Sequence, residues 1–240
     1  MTGYAVIFIF GTLLGNFTTT LLYRLPRGIV LYGFNKKLTR PPFCSNCVHP
    51  LKFYEYLPVL SWVSTLGTCN YCKMPITFSY FLLEVSAGVF AVLCAILYGH
   101  NIENYIIMFC FYTTGVLAFF IGYEHGIVPK VITASLVFEG ILYRTLNDQS
   151  ILPWFIALSF ASILSLYIFR DKLYNVKRQE LVHIILPTSV WLEDSGLMIF
   201  TLVVLSIFFI NRMFLTKINF YNISIMLLIF MVLGETSALF

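Results

Sequence analysis

The stretch from residue 44 to residue 72 reads CSNCVHPLKFYEYLPVLSWVSTLGTCNYC. Its two Cys-x-x-Cys pairs are 21 residues apart, a little more than the usual spacing, and each pair can close a tight turn on one tetrahedral ion. The pattern is typical of structural zinc, yet the chain around it is 59% hydrophobic and 11% charged. A chain with so little polar surface cannot enclose one water-facing core, so we expect much of it to face lipid.

Eight apolar segments predict an all-α integral membrane protein of about eight transmembrane helices. A small zinc-stapled cytoplasmic loop, residues 23–76, is predicted between helices 1 and 2. The first segment lacks a basic start and a small-residue cleavage site, so no cleavable signal peptide is expected. The sixth segment carries His183 and Pro187 and is interpreted as a half-helix or a re-entrant segment. The segments are 1–22, 77–98, 104–122, 131–143, 152–169, 180–192, 195–211 and 222–240.

The positive charges predict the orientation in the membrane. If the amino terminus lies outside, 14 of the 15 Lys and Arg residues fall in four cytoplasmic loops, and only Arg144 lies outside. Such a bias sets orientation during insertion, and a soluble helical protein would not require it. The basic residues do not gather on one surface, so no nucleic-acid partner is expected. The four loops are 23–76, 123–130, 170–179 and 212–221.

The four paired cysteines are Cys44, Cys47, Cys69 and Cys72. A cytoplasmic loop keeps its thiols reduced, which argues against disulfides. The loop is rich in proline and can bury little apolar surface, whereas zinc on four thiolates supplies about 10–16 kcal/mol of folding free energy. A structural zinc is therefore favoured over a catalytic one, which would need an open coordination position and usually a His ligand.

Three stretches carry a resemblance to a known family: GNFTTTLLYRLPR (15–27), PLKFYEYLPVLSW (50–62) and CNYCKMPITFSYFLLEVSAG (69–88). Together they resemble the bacterial type IV prepilin peptidase/N-methyltransferase family. The resemblance implies a multi-pass protein of the bacterial inner membrane, in contact with lipid, whose partners are the prepilins or pseudopilins of type IV pili and type II secretion. It also implies an amino-terminal family region at 1–98 and a membrane peptidase-like region at 99–240.

Members of the family cut the basic leader from prepilins after a Gly, and then methylate the new amino terminus with S-adenosylmethionine. The resemblance places two catalytic aspartates at the cytoplasmic edge of the membrane. In FIGYEHGIVP (120–129) the first aspartate position is Gly122, and in KLYNVK (172–177) the second is Asn175. An aspartic peptidase needs two carboxyl groups that share a proton. We therefore predict a pseudoenzyme with respect to proteolysis.

Two other carboxylates are candidate substitutes. Glu124 lies two residues after Gly122, and Asp171 is the only aspartate on the predicted cytoplasmic side. A shifted Glu124/Asp171 pair would leave an active peptidase. The simpler interpretation is that Glu124 caps a loop and Asp171 is a solvated charge.

Glu84 lies about two turns inside the second predicted span. A charge at that depth costs about 2.5–3.5 kcal/mol, so it needs a partner, a proton or a function. The resemblance places it in the methyl-transfer region, and a structural ion pair is the alternative. Arg24, Arg27 or a backbone group of the cysteine loop are candidate partners. Glu139 is expected to face another helix, and His183 to be a hydrogen-bonded packing residue.

Three functions remain open from the sequence. One is an enzyme of the prepilin-processing family that keeps at least its scaffold and zinc loop, with retained methyl transfer as one possibility. Another is a non-enzymatic assembly factor of a pilus or secretion system, and the third is an unrelated zinc-stapled scaffold. The amino half keeps its motifs while the carboxyl half has lost glycines, prolines and both acids, which favours the first two.

Overall fold

A computed structural model gives the structure of the chain and describes residues 2–28, 43–126, 129–149, 183, 187, 190–191, 224–229 and 231–232. No β-strand occurs in these residues, which contain only two isolated bridges. The named helices are α1 (Thr2–Arg24), a 3₁₀ helix (Phe53–Glu55), α2 (Leu60–Ser64), α3 (Phe78–Tyr98), α4 (Ile102–His125) and α5 (Lys130–Leu146).

Three of these helices are long and apolar enough to cross a membrane: Gly3–Arg24, Phe78–Tyr98 and Ile102–His125. They correspond to the first three apolar segments of the sequence. The fourth segment lies in α5, whose 17 residues are fewer than the roughly 20 of an ideal span. The last four predicted spans lie mostly outside the described residues. The helical fold is therefore confirmed for the described residues, with three helices able to cross a membrane, and the number of spans stays a prediction.

The chain divides into two compact units, residues 1–100 and 101–240. In the first unit, α1 packs against α3 through glycines. A Cβ atom placed on Gly11 would lie 2.6 Å from Cβ of Ala91 and 2.8 Å from the carbonyl oxygen of Ala87. One placed on Gly15 would lie 2.9 Å from Cβ of Ala87. Small residues four apart allow this close approach of two helices, which supplies van der Waals attraction where lipid supplies no hydrophobic drive.

In the second unit, α4 is capped at both ends. The Asn101 side chain accepts hydrogen bonds from the backbone N–H groups of Glu103 and Asn104, at 3.0 and 3.2 Å. Gly126 follows the last turn with a φ of 64°, the left-handed conformation that a helix end needs and that glycine adopts at little cost. These caps satisfy backbone groups that would otherwise lack partners.

Helices α4 and α5 are joined by a pair of amides. The side-chain amides of Asn104 and Asn147 donate to each other at 3.0 and 2.9 Å. Arg144, which the charge count placed in an outer loop, lies instead within α5 and is buried. The helix runs beyond the apolar segment, and the guanidinium donates to the carbonyl oxygen of Val190. The buried guanidinium of Arg144 therefore has a backbone acceptor, and this residue does not belong to an outer loop.

The glycine contact of α1 yields a matched test. Gly11→Ala should destabilise the first unit by about 1–3 kcal/mol, because the added methyl group overlaps the backbone of α3. Gly3→Ala, the same change on the same helix, should not lower stability, because nothing lies within 4 Å of a Cβ at that position and alanine favours a helix more than glycine does. Denaturation of both variants in detergent would measure the difference. Equal stability of the two variants would contradict the close helix contact.

Candidate functional site

The two Cys-x-x-Cys turns have the same backbone structure. In the first, the N–H of Cys44 donates to the His49 carbonyl at 3.0 Å, and Val48, with a φ of 59°, donates to the Cys44 carbonyl at 2.9 Å. In the second, Cys69 donates to Met74 at 2.9 Å, and Lys73, with a φ of 57°, donates to Cys69 at 3.0 Å. One isolated bridge closes each turn, Phe43 with Pro50 and Thr68 with Pro75. The sequence therefore builds two equivalent knuckles.

The two knuckles bring four sulfurs together. The Sγ atoms of Cys44, Cys47, Cys69 and Cys72 all lie within 4.8 Å of one another, and Cys44 and Cys72 are 3.9 Å apart. A tetrahedral ion with metal–sulfur bonds of about 2.3 Å would set the sulfurs about 3.8 Å apart. The cluster therefore fits a four-coordinate metal ion such as zinc. His49 does not belong to it; its ring stacks on Tyr71 with centroids 3.5 Å apart.

The pKa values of the clustered thiols favour a bound cation. The backbone N–H of Met74, with the Asn46 side chain and neighbouring thiols, lowers the pKa of Cys72 to about 6. The N–H of His49 lowers the pKa of Cys47, but desolvation and the thiols of Cys44 and Cys72 outweigh it and raise that pKa to about 11. Four sulfurs this close cannot all ionise in water at neutral pH unless a positive ion offsets their repulsion.

Glu55 connects the middle of the loop to the second knuckle. Its carboxylate accepts hydrogen bonds from the N–H of Lys52 at 2.8 Å, from the Asn70 amide at 3.0 Å and from the Tyr71 hydroxyl at 3.1 Å. The Lys52 N–H, and then the Asn70 amide, hold the pKa of Glu55 below its ordinary value. The carboxylate therefore orders the loop segment between the two cysteine pairs.

Two side chains of the helices hold the loop backbone. The Asn16 amide on α1 donates to the Tyr56 carbonyl at 3.0 Å. The Glu84 carboxylate on α3 accepts from the N–H of Val59 at 2.7 Å. Glu84 is buried, and no cationic side chain of the described residues pairs with it. The sequence suggested two arginines or a backbone group of the cysteine loop as partners of Glu84. The structure shows the backbone group and neither arginine.

A cavity of about 510 Å³ lies where the helices α1 and α3 meet the loop. Its size is in the range of small-molecule sites, which are mostly apolar with a few placed polar groups. Phe17 of α1 and Phe81 of α3 contribute to its apolar wall, and Trp62 contributes from the loop. Glu84 and Asn16 line it as well, so the groups that hold the loop also face this space.

The predicted catalytic positions of the second unit are only partly described. Gly122 is buried in the last turns of α4, and Glu124 is half-buried two residues further along. One carboxylate oxygen of Glu124, Oε1, is buried and has no hydrogen-bond partner among the described residues, and the other lies 3.9 Å from His125 Nε2. Asp171 and Asn175 lie outside the described residues. No convergence of two carboxylates is therefore visible in the part of the chain that the structure describes.

Two further polar residues that the sequence singled out within apolar segments have hydrogen-bond partners. Glu139 on α5 accepts hydrogen bonds from Thr114 of α4 at 3.0 Å and from Ser135 at 2.8 Å. His183 Nδ1 lies 2.8 Å from the Thr133 hydroxyl. Both fit their predicted structural roles: Glu139 faces another helix, and His183 is hydrogen-bonded.

Sequence reasoning missed three contributors to this site: Gly11, Asn16 and Glu55. The helix contact of Gly11 could have been predicted, since GTLLG (11–15) is a small-xxx-small pattern within an apolar helix. The contacts of Asn16 and Glu55 could not, because their partners lie 40 and 15 residues away along the chain.

The first unit matches a family model. Residues 9–98 match the family described as Bacterial Peptidase A24 N-terminal domain. The match covers α1 from residue 9 onward, the cysteine loop and α3, which are the elements that form the sulfur cluster and the cavity. No solved structure matches the chain significantly.

The chain is also similar to curated proteins described as prepilin leader peptidase/N-methyltransferase. It is 25% identical to the Vibrio cholerae serotype O1 protein over 168 residues, which are 69% of this chain and 66% of that relative. It is 29% identical to the Myxococcus xanthus protein over 136 residues, 56% of this chain and 38% of the relative. It is 25% identical to the Aeromonas hydrophila protein over 164 residues, which are 60% of this chain and 56% of that relative. The matched parts thus span less than two thirds of these relatives.

The sulfur cluster predicts the effect of losing one ligand. Cys44→Ser should lower the bound metal from about one ion per chain to near zero, because one of four sulfur ligands is removed. Cys110→Ser makes the same change in α4, outside the cluster, and should retain the metal. Plasma mass spectrometry of the purified proteins measures both. Full metal content in Cys44→Ser would contradict the four-cysteine site.

Proposed function

Because this chain belongs to the prepilin leader peptidase/N-methyltransferase family, we propose that it is a bacterial inner-membrane protein that binds type IV prepilins or pseudopilins and no longer removes their leaders. The proposed loss of leader removal rests on the residue at the first aspartate position. Gly122 is buried in α4 and offers no side chain there. A peptidase of this type needs an ionisable carboxyl group at that point.

Helix geometry argues against replacement by Glu124. Both residues lie in α4, and positions two apart on an α-helix point about 200° from each other. The Glu124 carboxyl therefore leaves the helix on nearly the opposite side from the aspartate position. Closeness in sequence does not make it a neighbour in space.

One observation favours the alternative, an active peptidase with a shifted Glu124/Asp171 pair. Within the described residues, Glu124 Oε1 is buried and lacks a hydrogen-bond partner, as expected of a group that pairs with a second carboxyl or a water. The other alternative is a non-enzymatic assembly factor, which needs only the binding of a prepilin. Neither alternative requires a different membrane fold.

We propose the following architecture for the chain. The four cysteines hold a structural zinc, and the loop 23–76 lies in the cytoplasm, as the bias of Lys and Arg indicates. About eight spans cross the membrane in contact with lipid. Residues 1–98 form the family region, and residues 99–240 form the peptidase-like region. The protein serves a type IV pilus or a type II secretion system.

Methyl transfer is the activity that this architecture leaves in place. The relatives' name couples leader removal to N-methylation, and the region matched by the family model contains the cavity and Glu84. The implied cofactor, S-adenosylmethionine, supplies an electrophilic methyl group. The cavity can take a small molecule of that kind by volume, and its carboxylate suits a cation. Glu84 would orient the methyl acceptor or donor.

A cleavage assay tests the proposed loss of proteolysis. A prepilin with a basic leader and a Gly–Phe junction should keep its leader after incubation with the purified protein, and should still copurify with it. The Vibrio cholerae relative, assayed in parallel, should remove the leader and thereby validate the substrate. Cleavage by this protein that Glu124→Gln abolishes would establish the shifted pair and overturn the proposal. Failure to copurify with any prepilin would contradict binding.

Restoring the two acids offers a second test. Gly122→Asp combined with Asn175→Asp should recover weak leader cleavage, because both carboxyls are then back at the family positions. Either change alone should recover none, because one carboxyl cannot serve as both acid and base. Gel analysis of the prepilin distinguishes these results. Cleavage by a single variant at the level of the double variant would contradict the two-acid explanation.

A further inference from the structure

The short helix α2 and the residue that follows its last turn expose three large apolar side chains. Leu60 and Val63 are 66% and 52% exposed, and Leu66 is 84% exposed, the highest value among the large apolar side chains that the structure describes. From residue 56 to residue 72 the sequence contains no Lys, Arg, Asp or Glu. Exposed apolar side chains that lie together without a charge among them are typical of a surface that binds a protein or a membrane.

The backbone is strained on both sides of α2. Val59, before the helix, has a φ of 60°, and Leu66, after it, has a φ of 51°, values that residues with a side chain rarely adopt. The Glu84 carboxylate on α3 accepts a hydrogen bond from the Val59 N–H at 2.7 Å and so stabilises the first of these conformations. Strain of this kind persists only where the surrounding structure fixes it, and it is concentrated in functional segments. The turns that expose Leu60 and Leu66 are therefore fixed features of the loop.

The side of α2 nearly opposite Leu60 packs against the start of α3. The ring of Trp62 lies 5.4 Å from that of Phe78 and 4.9 Å from that of Phe81, centroid to centroid. Both phenylalanines belong to the first turn of α3, which is long and apolar enough to cross a membrane. Phe78 is itself half exposed. Exposed apolar surface therefore continues from the first turn of this helix onto α2.

We propose that the outer face of α2, formed by Leu60, Val63 and Leu66, lies in the lipid–water boundary of the bilayer, among the upper parts of the lipid acyl chains. The cysteine loop then lies along the membrane surface beside the start of α3. Segments with one apolar and one polar side adopt this position, and tryptophan is enriched at the same depth. The inference goes beyond the proposed function, because it does not depend on whether the chain binds or cuts a prepilin.

Two observations favour lipid over a protein partner. Helix α2 adjoins the half-exposed Phe78, so the lipid around the first turn of α3 reaches the outer face directly. Residues 43–77 contain two exposed lysines, Lys52 and Lys73, and a single acid, Glu55, whose carboxylate is hydrogen-bonded within the loop. The excess of positive charge attracts anionic headgroups.

Photolabelling of the unmodified chain tests the proposal. The full chain is placed in nanodiscs of phosphatidylglycerol, part of which carries a diazirine close to the glycerol backbone. After illumination, residues 60–66 should carry lipid adducts, whereas residues 44–48 of the first knuckle should carry none. Mass spectrometry of the peptides measures both segments. Absence of adducts on residues 60–66, or equal labelling of the two segments, overturns the inference.

A photoreactive side chain identifies the contact from the side of the protein. Benzoylphenylalanine in place of Leu66 should crosslink to lipid, and the same residue in place of Val48 should not. The two positions are matched, because Val48 is 53% exposed and has a φ of 59°, close to that of Leu66. Metal content checks that each variant keeps its loop. A crosslink from position 66 to protein, whether the same chain or a second copy, would assign the face to protein packing and overturn the inference.

The apolar character of the face should control the labelling. Leu60→Gln combined with Leu66→Gln should remove most of the lipid adducts on residues 60–66, because amide side chains favour water. Val48→Gln, a polar change at an exposed position of the first knuckle, should leave the labelling of residues 60–66 unchanged. Full labelling of the double variant would show that the start of α3 alone brings the segment to the bilayer, and would overturn the role of the outer face.

Discussion

Four sulfurs held within 4.8 Å are the constraint on which the amino-terminal unit depends. The segment between the two cysteine pairs contains only a 3₁₀ turn and a five-residue helix, so regular structure cannot hold it in shape. Two equivalent knuckles close the cysteine pairs, and Glu55 ties the segment between them to the second knuckle. A cation on the four sulfurs would offset the repulsion of the thiolates and would supply further folding free energy.

The surface of the loop packs against helices α1 and α3. The glycine contact between α1 and α3 brings the two backbones close together, and Asn16 and Glu84 then hold Tyr56 and Val59 of the loop. The cavity is a consequence of this meeting, since neither the helix pair nor the loop encloses it alone. One carboxylate thus serves both as an acceptor for the loop and as the negative wall of a cavity. The sulfur cluster, the glycine contact between α1 and α3, and the cavity therefore depend on one another.

The second unit shows how helical geometry limits what a nearby residue can replace. Glu124 is two positions from Gly122, yet the turn of α4 directs it to another side of the helix. The sulfur cluster and the cavity lie in the first unit, whereas Gly122 and Glu124 lie in the second. A change at the positions in α4 therefore leaves the residues of the cysteine loop untouched.

The sequence by itself determined the features that depend on composition and local spacing. Lipid demands long apolar helices, so three helices able to cross a membrane could be predicted from hydropathy, and the family could be identified from three motifs. The spacing of the cysteines predicted that they share a site. Only the tertiary structure decided which groups meet across long separations: Glu84 with the Val59 N–H, Asn16 with Tyr56, Gly11 with the backbone of α3, and Arg144 with a buried carbonyl. Such partners are set by how the elements pack, and a backbone N–H or C=O carries no mark in the sequence that would identify its side-chain partner.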